Sequence, residues 1–406
     1  MNTPFCQNHR AHRASAAAGF TLVEMMVAIS LLMLLMLVTV YILNAVTTID
    51  TRTRAKVDTF REARAGFEVM TRRVSQGMLN TYWDYFDANG KTRDPLSTVP
   101  FVAKTYGRQS ELHFVSGPTK LGGASALLPA ATLLSVTHGL FFQSPQGLTT
   151  SAATVSANLP NLLNVSGYFI EYTNDAAAKT ERGYSDRPAF LTSGTPLPPP
   201  RWRFRLTELN QGSEYFQVYR TTAPRSNLAP FSWFRTPLTR PALTTEPAST
   251  RVLAENVVAL IVLPHRSPND PVPPGAQTQL APAYLYDSRG YVTAPTDPYA
   301  LLTQNQLPTM VQVTMVVLDE RSADRFQSSL GASPGTIATA TTKLGLTTGT
   351  SGLFVKPSSK ANPTPAEEKD QYLTDLQTLE KKLVELNVTY RIFSTDVSIL
   401  QAKWSE

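Results

Sequence analysis

Cysteine is almost missing from this chain: Cys6 is the only one in 406 residues. A disulfide framework and a thiolate metal site are therefore excluded, and the scarcity suits an extracytoplasmic compartment. Histidine is nearly as scarce. Beyond the first nineteen residues only His113, His138 and His265 occur, and no two stand at the helical spacing that a metal pair needs. No glycine-flanked serine marks a nucleophile turn, and no glycine-rich loop opens a helix to hold phosphate. His113 alternates with apolar neighbours on a strand-like segment, the pattern of a satisfied structural histidine. The adjacent carboxylates Asp319-Glu320 and Glu367-Glu368 end a strand and open a helix, where negative charge is favourable. No loop with calcium-ligand spacing stands out. Catalytic residues, cofactors and metal ligands are accordingly none, and the expectation is a chain that is not an enzyme. The net charge of +6 is small for this length and its basic residues are scattered, which gives nucleic acid no footprint.

Proline is also missing from one long stretch. The chain contains 30, yet none lies between Phe20 and Arg93, so nothing forces a helix to break before Pro95. Within that stretch, Phe20 to Val46 is apolar apart from Glu24. As a helix it would extend roughly 40 Å, against a hydrocarbon core of about 30 Å. A cleavable secretory signal has a shorter apolar region with its small residues after it, whereas Ala16 to Gly19 precede this one. A lipoprotein signal needs a cysteine just after an apolar run, and Cys6 precedes the run. A plain signal anchor stays open, with Glu24 simply solvated at the headgroup boundary. A carboxylate facing lipid costs a few kcal/mol, so an acid in such a segment ordinarily has a partner and a role. Cleavage between Gly19 and Phe20 would expose an α-amino group and make Glu24 the fifth residue, so that a neighbouring copy could supply the counter-charge.

Gly19-Phe20-Thr21-Leu22-Val23-Glu24 followed by an unbroken apolar helix resembles the class III prepilin signal of type IV pilins and type II secretion pseudopilins. The resemblance implies that a prepilin peptidase cuts after Gly19 on the cytoplasmic side and methylates Phe20. It also implies that Glu24 guides assembly by pairing with the amine of an adjacent subunit. Orientation rests on the same resemblance. The basic residues Arg52, Arg54, Lys56, Arg61 and Arg64 outnumber Arg10 and Arg13 of the leader, and by count alone they favour the opposite topology.

From Asp50 to Met78 the pattern becomes amphipathic, with Val57, Phe60, Phe67, Met70, Val74 and Met78 on one stripe and Gly66 and Gly77 as expected bend and end. After Tyr82-Trp83-Asp84-Tyr85 the chain reads as strands: 111–115, 133–136, 168–172, 202–206, 215–219, 257–263 and 311–318. Proline-rich stretches at 196–200 and 264–274 read as surface loops, and 331–352, rich in Ala, Ser, Thr and Gly, as a flexible segment. Thr364-Pro365-Ala366-Glu367 has the form of a capping box, opening a helix to about Leu386 with Leu373, Leu376, Leu379, Leu383 and Leu386 on one face. Leu253-Ala254-Glu255-Asn256-Val257-Val258, Leu307-Pro308, and Tyr390 to Val397 with Lys403-Trp404 are similar to J-type minor pseudopilins, and closer still to the group named Verru_Chthon cassette protein C.

The expected architecture is α+β, with a long N-terminal transmembrane and amphipathic helix packed on an antiparallel β-sheet domain, and a C-terminal helix. The boundaries are a leader at 1–19, a transmembrane helix at 20–46, its amphipathic continuation at 47–80, and a β-rich extracytoplasmic domain at 81–406. The resemblance implies a non-catalytic minor pseudopilin, single-pass in the inner membrane with its C-terminal domain in the periplasm. Its partners would be the prepilin peptidase, other pilin-like subunits, the inner-membrane assembly platform and membrane lipid. The alternative is an uncleaved, membrane-anchored extracytoplasmic enzyme or binding protein.

Overall fold

In the computed structural model the proline-free stretch forms one helix, α1 (Leu22–Ser75). The structure describes residues 19, 21–88, 92–93, 98–119, 127–128, 135–149, 159, 161–174, 201–215, 218, 231–239, 250–266, 280–281, 284–289, 303–330, 337–346, 352–355 and 365–402. After α1 come strands β1 (Thr81–Phe86), β2 (Thr105–Ser110), β3 (Val115–Pro118), β4 (Ser135–Pro145), β5 (Leu163–Asn174) and β6 (Trp202–Gln211). Helix α2 (Ser232–Thr239), β7 (Thr250–Glu255), β8 (Val257–His265), β9 (Tyr286–Asp287) and β10 (Met310–Leu318) follow. Helices α3 (Glu320–Ser329), α4 (Ile337–Leu344) and α5 (Pro365–Glu385) and strand β11 (Tyr390–Ser398) complete the order. The fold is α+β, and every strand pairing is antiparallel. Two compact units divide the chain, residues 1–55 and 56–406, with α1 shared between them.

In the larger unit, β7-β6-β5-β4-β3-β9 make a six-stranded sheet, β11-β10-β8 a three-stranded one, and β1-β2 a separate pair. The central strand β5 alternates between two apolar environments, Tyr168, Ile170 and Tyr172 in one and Val165 and Phe169 in the other. Period-two alternation of this kind buries both faces of a sheet. The second face is closed by α2, whose Phe234 stacks on Phe141 of β4 with ring centroids 4.0 Å apart. Phe141 in turn lies across Gly167, its register partner on β5, so closely that a β-carbon there would be 2.3 Å from the ring.

The two larger sheets are joined by polar side chains at a bulge. The β4–β5 register shifts between Val136 and Gly139, and Thr137 takes a positive φ of 57°. This turns two side chains toward β8, the edge strand of the other sheet. Leu260 N–H donates to Thr137 Oγ1 at 3.0 Å, and Val262 N–H to His138 Nδ1 at 3.0 Å. Buried edge donors therefore find acceptors without a strand partner. Because Nδ1 accepts, Nε2 carries the proton and donates to the Phe354 carbonyl at 2.8 Å. The chain itself changes sheets at Asn256, whose φ of 61° separates β7 from β8. Asparagine tolerates that left-handed conformation better than most residues.

The last turns of α1 bury Phe60, Ala63, Phe67, Met70 and Val74, a spacing of alternately three and four residues that keeps one face inward. Phe67 meets Phe393 of β11 at 6.0 Å between ring centroids. Gly66 faces β7, where a β-carbon would come within 3.3 Å of the Leu253 carbonyl oxygen. The helix continues through Gly66 to Ser75, and the glycine permits close approach. Helix α3 is held by charge: Arg203 of β6, almost wholly buried, meets Glu320, Asp324 and Gln327, one face of that helix. Asp319 caps it, accepting from Ser322 N–H at 2.8 Å.

Several expectations need correction. Val57 is exposed, and the stripe instead includes Ala63. Of the strand expected over 215–219, Tyr215 instead ends a 3-10 turn (Ser213–Tyr215) and Val218 lies in a bend, while Phe216, Gln217 and Tyr219 lie outside the described residues. Pro264 is buried within β8 rather than looped out, which an edge strand tolerates because no ladder donor is needed there; 267–274 and 196–200 lie outside the described residues. Within 331–352, expected to be flexible, α4 forms with Ala340, Thr341 and Leu344 buried. Gly345 ends it at φ 72°, with Leu346 N–H bonded to Thr341 O and Gly345 N–H to Thr342 O, a helix stop common with glycine. On α5 the buried stripe runs through Tyr372, Leu379 and Leu383, while Leu373 is exposed.

Two outcomes test this packing. Gly167→Ala forces the stacked Phe141 ring aside and should lower unfolding stability in urea by about 1–3 kcal/mol. Burial pulls the His138 imidazole down to about 4, whereas an unfolded histidine titrates near 6.5. As pH falls from about 6.5 toward 4, the unfolded chain takes up a proton that the folded chain refuses, so stability declines, by about 3 kcal/mol in all. The loss of stability over this window, followed by urea unfolding, should be smaller by a like amount in His138→Gln.

Candidate functional site

Of the three residues singled out by sequence, Gly19 precedes α1 and Glu24 lies in its first turn; Phe20 lies outside the described residues. Gly19 is exposed, and a β-carbon built on it would meet nothing within 4 Å. The fold therefore gives no steric reason for glycine here, in contrast to Gly66 and Gly167. Glu24 sits in the first turn, where its Oε2 accepts from Thr21 N–H at 2.9 Å and from Thr21 Oγ1 at 3.0 Å. Glu24 N–H returns a bond to Thr21 Oγ1 at 3.3 Å. This is a reciprocal capping box, Thr21 at the cap and Glu24 three residues on. Among the described residues Oε1 of Glu24 accepts no bond. The Thr-x-x-Glu spacing was a readable signal for Thr21's part in the site, which sequence reasoning missed.

Beyond this turn, every described side chain from Thr21 to Thr51 is exposed, including Leu31, Leu34, Leu37 and Ile42. Among the described residues none covers this surface, which is long and apolar enough to cross a membrane. Its hydroxyls are satisfied within the helix: Ser30 donates to Val27 O at 2.8 Å, Thr39 to Leu35 O at 2.8 Å and Thr47 to Leu43 O at 2.9 Å. In hydrocarbon, where water is missing, such internal bonds lower the cost of polar atoms.

The histidines are placed elsewhere. His113 is fully buried, its Nε2 2.8 Å from Asp287 Oδ1, while Trp233 Nε1–H donates to its Nδ1 at 3.0 Å. Nδ1 is thus an acceptor, and the proton resides on Nε2, directed to Asp287. Burial pulls this imidazole below its ordinary range, against the opposing pull of Asp287. A carboxylate and histidine so arranged resemble part of a hydrolase relay, but the nitrogen that would activate a nucleophile is occupied by tryptophan. His265 stands 3.5 Å from Asp396 on the three-stranded sheet, apart from the other two. Among the described residues no group of three or more His, Cys, Asp or Glu is arranged to hold a metal ion. A further charged cluster, Arg73, Glu208 and Arg251 with Tyr168, joins α1 to β5, β6 and β7. Its members lie up to 178 positions apart, so no local pattern announced it.

The hexapeptide Leu253 to Val258 is explained by packing. Leu253 and Ala254 leave room for Gly66, Glu255 pairs with Arg205 at 3.2 Å, Asn256 makes the turn, and its side chain donates to Glu320 at 2.7 Å. Val257 and Val258 are buried in the core.

No curated protein and no solved structure matches the chain. Residues 15–40 match the family model of the prokaryotic N-terminal methylation motif. That match spans Gly19, Phe20, Glu24 and much of the uncovered apolar helix, and it supports a type IV pilin-like prepilin, anchored in a membrane, structural rather than enzymatic, processed by a prepilin peptidase and assembled with other pilins.

Proposed function

We propose that this chain is a non-catalytic minor pseudopilin, cut between Gly19 and Phe20, methylated on Phe20, and assembled into a short pilus-like or type II secretion-like filament. The observation that carries the reading is the coincidence of the methylation motif with an apolar helix whose described side chains through Thr51 are all exposed. Before assembly that surface is held in the inner membrane as a single span, with the β-rich domain in the periplasm. In the filament it packs on neighbouring helices, delivered by the inner-membrane assembly platform. The similarity of 253–258 and 390–397 to J-type minor pseudopilins, and to the Verru_Chthon cassette protein C group, favours a minor subunit over a bulk one.

Gly19 acts in cleavage, which accounts for a glycine that the fold does not require. Glu24 acts twice. Oε2 caps the helix through Thr21, and Oε1 accepts the N-terminal amine of an adjacent subunit, neutralising both charges in a medium where neither is tolerated alone.

Intact-mass measurement of the protein from cells with active prepilin peptidase should show a chain starting at methylated Phe20, and Gly19→Leu should leave residues 1–19 attached. Retention of the leader by the unaltered chain would instead favour an uncleaved anchor. Glu24→Gln separates the two tasks of this residue, since glutamine also serves at the third position of a capping box. If the charge sets register, the variant inserts normally but enters filaments about tenfold less, one charge-assisted bond being worth about 1.5–3 kcal/mol. Undiminished incorporation in a pull-down of assembled subunits would reduce Glu24 to a helix cap.

A further inference from the structure

Glu208 has no exposed surface, yet it holds two cations. Arg73, from the last turn of α1, gives Nη1 to its Oε1; Arg251, from β7, gives Nε to its Oε2. Tyr168 OH donates to Oε1 at 2.8 Å, and burial holds that phenol well above its ordinary range, so it remains a donor. One carboxylate thus keeps two like-charged guanidiniums side by side, leaving a surplus of one positive charge. Both arginines line a cleft of about 540 Å³, with Gln76, Gln146, Asn210 and Thr250 among the other walls. Arg73 is 22% exposed and Arg251 56%. Among the described residues, Arg73 Nη2 and both terminal nitrogens of Arg251 donate to nothing.

We propose that this cleft binds a carboxylate, supplied by an acidic segment of a partner polypeptide. A second carboxylate entering from solvent bridges the two guanidiniums on the side away from Glu208, completing an alternating arrangement of two cations and two anions. Arginine favours such planar, two-pronged recognition. The charge count selects the ligand class: a carboxylate cancels the surplus, whereas a phosphate dianion leaves an excess negative charge beside a buried glutamate. The cleft lies within the range of about 300–1,000 Å³ typical of ligand sites. Its amide and hydroxyl walls suit the backbone of an extended peptide. A free small carboxylic acid offers the same chemistry, and the test tells the two sources apart. The inference does not depend on processing or filament assembly, since the site belongs to residues 56–406 alone.

Full-length protein in detergent is titrated calorimetrically with an acetylated, amidated tetraglutamate peptide, its tetraglutamine counterpart, succinate and inorganic phosphate. The acidic peptide should bind saturably and more weakly as salt rises, the tetraglutamine peptide not at all, and phosphate less well than the acidic peptide. Arg251 is the variant of choice because it is the more exposed of the two arginines. Arg251→Gln should weaken the peptide at least about tenfold, about 1.4 kcal/mol, while the protein stays folded by circular dichroism at the titration temperature, and Arg251→Lys should restore the charge but only part of the affinity. Succinate binding as tightly as the peptide keeps the carboxylate site but transfers its source to a small acid. Absence of binding by both, tighter binding of phosphate, or affinity indifferent to Arg251→Gln overturns the proposal.

Discussion

A single helix whose surroundings change along its length sets the terms for the rest of the molecule. Through Thr51, no described residue covers any face of α1; from Phe60 one face is closed by residues of both larger sheets. An unbroken apolar surface of this size is not stable in water. Lipid or other apolar helices must take the place that the globular unit takes further along. The change in pattern is written in residue choice: the first part is apolar all round, and the second confines its apolar residues to alternating steps of three and four. Gly66 belongs to the second regime, since the close approach of helix and β7 leaves no room for a side chain.

Within residues 56–406 the strands divide into separate sheets because the backbone changes direction at two positions of positive φ. Asn256 sends the chain from the edge of one sheet to the edge of another, and Thr137 lifts the following histidine out of its ladder. The edge of β8 would otherwise carry buried, unpaired N–H groups at Leu260 and Val262. Thr137 Oγ1 and His138 Nδ1 accept those bonds. A bulge thus takes the place of a strand, and the cost of burying an imidazole is the acid sensitivity it brings.

The architecture was legible where a short segment carries its own period. Strands β4, β5, β6, β8 and β10 announce themselves by β-branched and aromatic runs, and α5 by its leucines. Helix α4 was hidden because its inward positions, Ile337, Ala340, Thr341 and Leu344, include alanine and threonine, which carry little hydrophobic contrast. Ala63 escaped for the same reason. At the N-terminus the motif was readable because its residues are contiguous. The clusters around His113 and Glu208 were not, since only the packing of helices α2 and α1 against the sheet brings Trp233 to His113 and Arg73 to Glu208 beside Arg251.

Glu24 shows why a site and a structural feature need not be alternatives. A helix that begins in or near hydrocarbon has orphan N–H groups at its first turn and no water to satisfy them. Thr21 and Glu24 answer that need within the chain and use one carboxylate oxygen to do it. The carboxylate's charge is not cancelled by hydroxyl and amide donors, so a cation is still required for it to stay ionised in that medium. On the proposed reading, the cation arrives only when a neighbour has been cleaved, because an uncut leader offers an amide at Phe20 where the processed chain offers an amine. The capping box fixes the position of the acid relative to the helix axis, and the neighbour's amine must come to it. On that reading, register along the filament would follow from a local hydrogen-bonded turn, and the same pairing would restrict assembly to processed subunits.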